Sequence, residues 1–320
     1  MKRKSILLVL CIGMVLTSCK NIKALNDSDV KNEKSQKKTV MEIQDKGYDL
    51  PIDEKKKKEF IQKVTGILYK YGDIESTPML DKRIQDIYNE YYEEETDYIA
   101  LKHKYNQYML EREDEIKEHL KEAKDIKDYI KYVCVGNYID FGVTGNIDDQ
   151  MLDDLLKKVD SLNISEQEIK YLEEELKQAK TLLYITDNCG EIVLDKIFIE
   201  ELKKRYGNLE ITVMVRGGLA INDATIEDAQ EIGLTKIVPV ISNGAAIAGT
   251  VKEQLSKEAR KQLDSADVII AKGMGNFESM YQEGINPYYL FLCKCDLFTR
   301  RFGVKLFDPI FCKEERLDIK

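Results

Sequence analysis

The residues best equipped for chemistry fall in four short polar segments, each placed after an apolar run. They are Thr186-Asp187-Asn188-Cys189-Gly190-Glu191; Arg216-Gly217-Gly218 running on to Asn222-Asp223-Ala224-Thr225; Ser242-Asn243-Gly244 with Gly249-Thr250; and Lys272-Gly273-Met274-Gly275-Asn276-Phe277-Glu278. Two carboxylates, Asp187 and Asp223, and the amide of Asn188 make a hard oxygen set of the kind that suits Mg²⁺ or Mn²⁺, with water and a phosphate completing the shell. Alone, Asp187-Asn188 before a helix is a turn and N-cap pair, and Asp223 has the same reading at the next helix. The set favours metal, because both carboxylates lie beyond neighbouring strand candidates.

Lys272-Gly273-Met274-Gly275 follows an apolar run as a phosphate-cradling turn would, its glycines letting backbone N–H groups approach an oxyanion. It is also a plain strand-to-helix turn. The Gly-x-Gly-x-x-Glu spacing lacks the third glycine of a dinucleotide fingerprint, and the lysine precedes the glycines, unlike a Walker loop. This disfavours a nucleotide-dependent oxidoreductase. Arg216 reads equally as an anion clamp or a surface cation. Phosphate monoester hydrolysis demands accelerations up to ~10²¹, most of them from positioning and electrostatics, and a metal with a nearby lysine and oriented N–H groups answers that demand.

The elements that must carry these segments are legible. Leu182–Ile185, Ile211–Val215, Ile237–Ile241 and Val268–Ala271 are buried-strand candidates alternating with helical patterns, which predicts a mainly parallel sheet in an α/β/α sandwich over residues 180–320. Ligands of such sheets bind at the carboxyl ends of the strands. Residues 47–179 predict a helical domain: Phe60, Val64, Ile67 and Leu68 repeat at helical spacing, and Ser165 with Glu168 is a capping-box pattern opening a helix to Ala179. Gly136-Asn137-Tyr138-Ile139-Asp140-Phe141-Gly142 breaks that pattern with a polar and aromatic turn.

The chain has 320 residues, 43% of them hydrophobic and 33% charged, which excludes disordered, fibrous and polytopic membrane classes. A net charge of -9 argues against a nucleic-acid partner. Two histidines, His103 and His119, make a histidine triad or a His-rich metal site improbable. Residues 1–19 read as an export signal, with Leu16-Thr17-Ser18-Cys19 resembling a lipobox, so that Cys19 would carry lipid and hold the protein on the extracytoplasmic face of the cell membrane; a cytoplasmic location is the alternative. Residues 20–46 read as a tether. The cysteines that remain, Cys134, Cys189, Cys293, Cys295 and Cys312, are odd in number and irregular in spacing, which is no disulfide framework.

Taken in order, Asp187-Asn188-Cys189-Gly190-Glu191, Val215-Arg216-Gly217, Asn222-Asp223-Ala224-Thr225, Asn243-Gly244, Gly249-Thr250 and Lys272 to Glu278 resemble the metal-dependent damage-control phosphatases once catalogued as domain of unknown function 89, the ARMT-like domain. The Gly-Asn-x-Glu ending and the Gly136–Gly142 turn are similar to the prokaryotic branch, although a Cys-x-x-Cys found near the N-terminus of many members is missing. The resemblance implies a helical domain on an α/β/α sandwich and hydrolysis of a small phosphorylated metabolite, such as a sugar phosphate, with a divalent cation: Mn, Mg, Co or Ni. It implies metal ligands Asp187, Asn188 and Asp223, a phosphoryl contact from Lys272, and a pocket wall from Asn276 and Glu278, with Asp187, Lys272 and Glu278 as the catalytic set. Arg216, Gly217, Asn243 and Gly273 join the phosphate-binding rim, and Asn137 and Asp140 would reach it from the helical side. Water and Asp187 both stand as nucleophile. A lipid-anchored protein that captures a phosphorylated ligand without hydrolysis is the rival reading.

Overall fold

The computed structural model describes residues 54–91, 97–140 and 147–319. The export signal, Cys19 and the tether therefore lie outside the described residues. Two compact units divide the described residues, one holding residues 54–91 and 97, the other residues 98–140 and 147–319. In the first, α1 (Glu54–Tyr71) and α2 (Thr77–Tyr91) bury Phe60, Val64, Leu80, Ile84 and Tyr88 in a core of their own.

The second unit carries the sheet. Its strands are β1 (Thr181–Ile185), β2 (Glu210–Val215), β3 (Val240–Ser242), β4 (Val268–Lys272), β5 (Tyr288–Leu292) and β6 (Pro309–Lys313), ordered β3-β2-β1-β4-β5-β6. All neighbours pair in parallel except β6, which runs antiparallel to β5. Strand order reverses between β1 and β4, and that switch point is where open α/β sheets leave a crevice beyond their carboxyl ends.

Side-chain alternation along each strand sorts the apolar residues onto two faces. Leu182, Tyr184, Val213, Val215, Ile270, Tyr288 and Leu290 face one core. That core is shared with α3 (Tyr98–Leu110), α4 (Glu113–His119), α5 (Lys127–Gly136), α6 (Asp149–Lys157), α7 (Glu166–Gln178), α8 (Glu191–Arg205) and α9 (Ile226–Glu231). Leu183, Ile185, Met214, Ile269, Tyr289 and Phe291 face the other, against α10 (Lys257–Ser265), α11 (Gly273–Met280) and α12 (Asp296–Phe302). The result is the expected three-layer sandwich. The helices from Tyr98 onward pack their apolar faces onto the sheet and share its compact unit.

Local chemistry explains the element ends. Ser165 accepts from the Glu168 backbone N–H, which opens α7 as its capping pattern predicts. Thr225 and Asp228 form a reciprocal capping box at α9. Val240 begins β3 three residues later than its apolar run suggests, since Leu234–Lys236 forms a 3₁₀ turn after left-handed Gly233.

Candidate active site

The polar segments after β1, β2, β3 and β4 meet on one rim. Asp187 follows β1 and is buried, its Oδ2 accepting from Asn137 Nδ2 at 2.8 Å and Asn188 Nδ2 at 2.7 Å. Asp223 lies in the segment after β2, and Asn188 pairs with it in an isolated antiparallel bridge. Neither carboxylate caps a helix: the cap of α8 is Gly190, and that of α9 is Thr225. The metal-site reading thus survives its plainest competitor.

Burial, with the Asp223 and Glu191 carboxylates close by, pushes the Asp187 carboxyl well above the usual carboxylate range. Burial also raises Asp223, to about 6, against the pull of Arg216. Buried acids that resist ionisation in each other's presence mark a place short of positive charge. Among the described residues no three His, Cys, Asp or Glu side chains form a metal-binding group. The set here has two carboxylates and draws its third oxygen from an amide. Asn188 turns its Nδ2 to Asp187 and to Glu191 Oε2, which leaves Oδ1 as the free end of the amide for a cation. Asp187, Asn188 and Asp223 therefore fit a hard divalent ion.

Arg216 is 1% exposed and tightly braced, Nε donating to Asp223 Oδ2 at 2.5 Å and Nη1 to Asn276 Oδ1 at 3.1 Å and Thr250 Oγ1 at 3.3 Å. Its Nη2 is buried without a hydrogen-bond partner and lies 3.7 Å from Asp187 Oδ1, an attraction too long for a hydrogen bond. A guanidinium this buried, fixed and left with one idle donor beside the carboxylates is no surface cation.

Gly273 opens α11 at φ 81°, and a Cβ there would fall 2.0 Å from Asp187 Oδ2, so only glycine fits. No side chain caps the first turn of α11 and no acid stands in it. Gly217 is equally constrained, since a Cβ would lie 2.4 Å from the Ala245 nitrogen where the second and third segments cross. Asn243 Oδ1 ties that crossing by accepting from Gly217 and Ala245 N–H groups, and its Nδ2 is buried and unpartnered.

The remaining predicted residues are placed as follows. Asn276 is a brace: its Nδ2 donates to the Thr186 and Lys272 carbonyls, tying the ends of β1 and β4. Lys272 is fully buried between Glu191 and Asp195. Burial opposes its charge, yet the two carboxylates raise its pKa, so it stays an ammonium. Asn137 joins the helical layer to the site, Nδ2 reaching Asp187 and Glu191 and Oδ1 accepting from Leu292 N–H at 3.0 Å. Asp140 pairs with Lys294 at 2.7 Å. Glu278 is half-buried on α11, and its charge adds a little to the effect of burial, which is the main cause that raises the Cys295 thiol.

Glu191 closes the first segment but carries no assigned role in the sequence reading, and Asp195 and Lys294 carry none either. Acids four residues apart in a helix whose neighbours are nearly all apolar are the signal that could have found the first two. Beside the rim a cavity of about 750 Å³ is lined by Lys102, His103, Arg216, Gly217, Leu219 and Thr225 among others. Burial raises the thiols of Cys134, Cys189, Cys293, Cys295 and Cys312, which speaks against a cysteine nucleophile.

Residues 11–310 match the damage-control phosphatase ARMT1-like domain, a match that begins inside the segment read as an export signal. An uncharacterized protein of Methanocaldococcus jannaschii is 35% identical over 68% of this chain and 73% of its own length. A damage-control phosphatase of Pyrococcus horikoshii is 39% identical over 55% of this chain and 60% of its own, and one of Archaeoglobus fulgidus is 38% identical over 55% and 61%. The alignments thus span less than two thirds of both named phosphatases. The crystal structure of a DUF89 family protein from Pyrococcus horikoshii superposes with a TM-score of 0.66 at 25% identity, covering 96% of this chain and 97% of that one. Fold and sequence match agree, and the chain belongs to the ARMT1-like damage-control phosphatase family.

Proposed function

We propose that this protein is a divalent-metal-dependent phosphomonoesterase acting on a small phosphorylated metabolite such as a sugar phosphate. The observation that carries the reading is the idle Nη2 of Arg216 beside two buried carboxylates that cap nothing. Asp187, Asn188 and Asp223 would hold the cation, which supplies Lewis-acid polarisation of a phosphoryl oxygen. Arg216, held still by Asp223, Thr250 and Asn276, donates to a second oxygen without reorganising. The first-turn N–H groups of α11 face the same anion, and Gly273 lets them come close to Asp187. The cavity at Arg216 and Gly217 gives room for the rest of the metabolite.

Phosphate release from a panel of sugar phosphates and p-nitrophenyl phosphate, with Mn²⁺, Mg²⁺, Co²⁺ or Ni²⁺ and with chelator, tests this. Metal-dependent turnover lost in Asp187→Ala supports it; a folded protein that releases no phosphate with any metal overturns it in favour of ligand capture. The membrane location through Cys19 is a separate proposal, supported by the Leu-Thr-Ser-Cys sequence. Cys19→Ala should release the protein from membranes, and unchanged fractionation counts against the anchor.

A further inference from the structure

Lys272 is gripped by two acids where one would balance its charge. Glu191 and Asp195 stand four residues apart on α8, so both side chains leave one face of the helix a turn apart. Both reach the Lys272 ammonium, Asp195 Oδ1 at 3.0 Å, and all three side chains are fully buried. Asp195 Oδ1 also accepts from the Tyr184 hydroxyl at 2.6 Å, whereas its Oδ2 has no partner. An idle carboxylate oxygen in a dry core works against folding, so packing does not account for this residue.

Glu191 has a second duty. Its Oε2 accepts from Asn137 Nδ2 at 3.0 Å and from Asn188 Nδ2 at 3.2 Å, the two amides that also hold Asp187. An ammonium with Glu191 as its sole counter-charge would compete with those amides for the carboxylate. Asp195 meets the ammonium as a second counter-charge, and among the described residues its side chain bonds only to Tyr184 and Lys272.

We propose that Asp195, steadied by Tyr184, is a positioning residue that anchors the Lys272 ammonium so that Glu191 can keep the Asn188 and Asn137 amides in register with Asp187. The inference rests on the phosphatase reading of the site. It acts at two removes from the carboxylates, so its signature is a loosened site in a folded protein.

The test compares the full chain with Asp195→Asn, Asp195→Ala and Tyr184→Phe, reading Mn²⁺ affinity by calorimetry and kcat on p-nitrophenyl phosphate. A core deletion away from the site, Leu176→Ala, serves as the control for general destabilisation. Both Asp195 variants should bind Mn²⁺ about tenfold more weakly, as loss of an outer-shell partner does, and lose at least tenfold in kcat. Tyr184→Phe should shift both in the same direction by less, and Leu176→Ala should leave Mn²⁺ affinity unchanged at a comparable loss of melting temperature. Wild-type Mn²⁺ affinity in the Asp195 variants, or in Tyr184→Phe if those do not fold, overturns the proposal. An Mn²⁺-binding wild type that releases no phosphate overturns the phosphatase reading, and calorimetry alone then judges Asp195. A wild type that does neither overturns both.

Discussion

Gly273 is the narrowest residue of the site, because its missing side chain is where the Asp187 carboxylate sits. Gly273→Ala should cost at least 10²-fold in kcat, with melting temperature as the check that the loss is local; wild-type turnover would show that Asp187 can move aside. Arg216→Lys keeps a charge and loses the planar fork, so it should also cost about 10²–10³ in kcat on the scale of a lost oxyanion donor. Asp195 makes the pH prediction. Its folded pKa of about 6 lies above the unfolded value of 3.8, burial being the main cause. The stability it contributes is complete below about pH 4 and is lost as pH rises through 6. Denaturant unfolding between pH 4 and 7 should therefore show a decline that Asp195→Asn flattens, and an unchanged slope in the variant would refute the assignment.

At the scale of elements, what the sequence disclosed follows the range of the interactions concerned. β1 and β4 are apolar runs buried almost throughout, and β2 departs from that only at Glu210 and Thr212; such runs announce themselves. β6 does not, since Pro309 opens it and half of it is solvated at the edge of the sheet. The rim segments were legible because glycines and paired acids after strands are local signals. Glu191 and Asp195 acquire meaning only from Lys272, which lies 81 and 77 residues further along. The cap reading of Asp223 failed for a local reason: Thr225 with Asp228 is the better box. Thr225→Ala should destabilise the protein by ~1 kcal/mol, visible as a lower urea midpoint at unchanged m-value. α11 owes its placement to Phe277, whose ring packs against Tyr281, Tyr289, Phe291, Phe298 and Phe302. Phe277→Ala should cost ~3–5 kcal/mol and weaken substrate turnover through the displaced Gly273.

Across the whole second unit, the site is where distant stretches of chain are stitched. Asn106 on α3 accepts from Gly190 N–H and donates to Asp228 and Glu231 on α9, so one helix holds both the loop after β1 and the segment after β2. Asn137 ties the helical layer to Asp187 on one side and to β5 on the other. That second tie bears on synthesis. When the ribosome has delivered Asp187, Asp223 and Arg216, the Asn137 carbonyl oxygen still lacks its partner, because Leu292 has yet to emerge. A chain arrested before that point holds the carboxylates and the guanidinium while the tie from the Asn137 amide to β5 is still unmade, so the growing polypeptide passes most of its translation without a finished site.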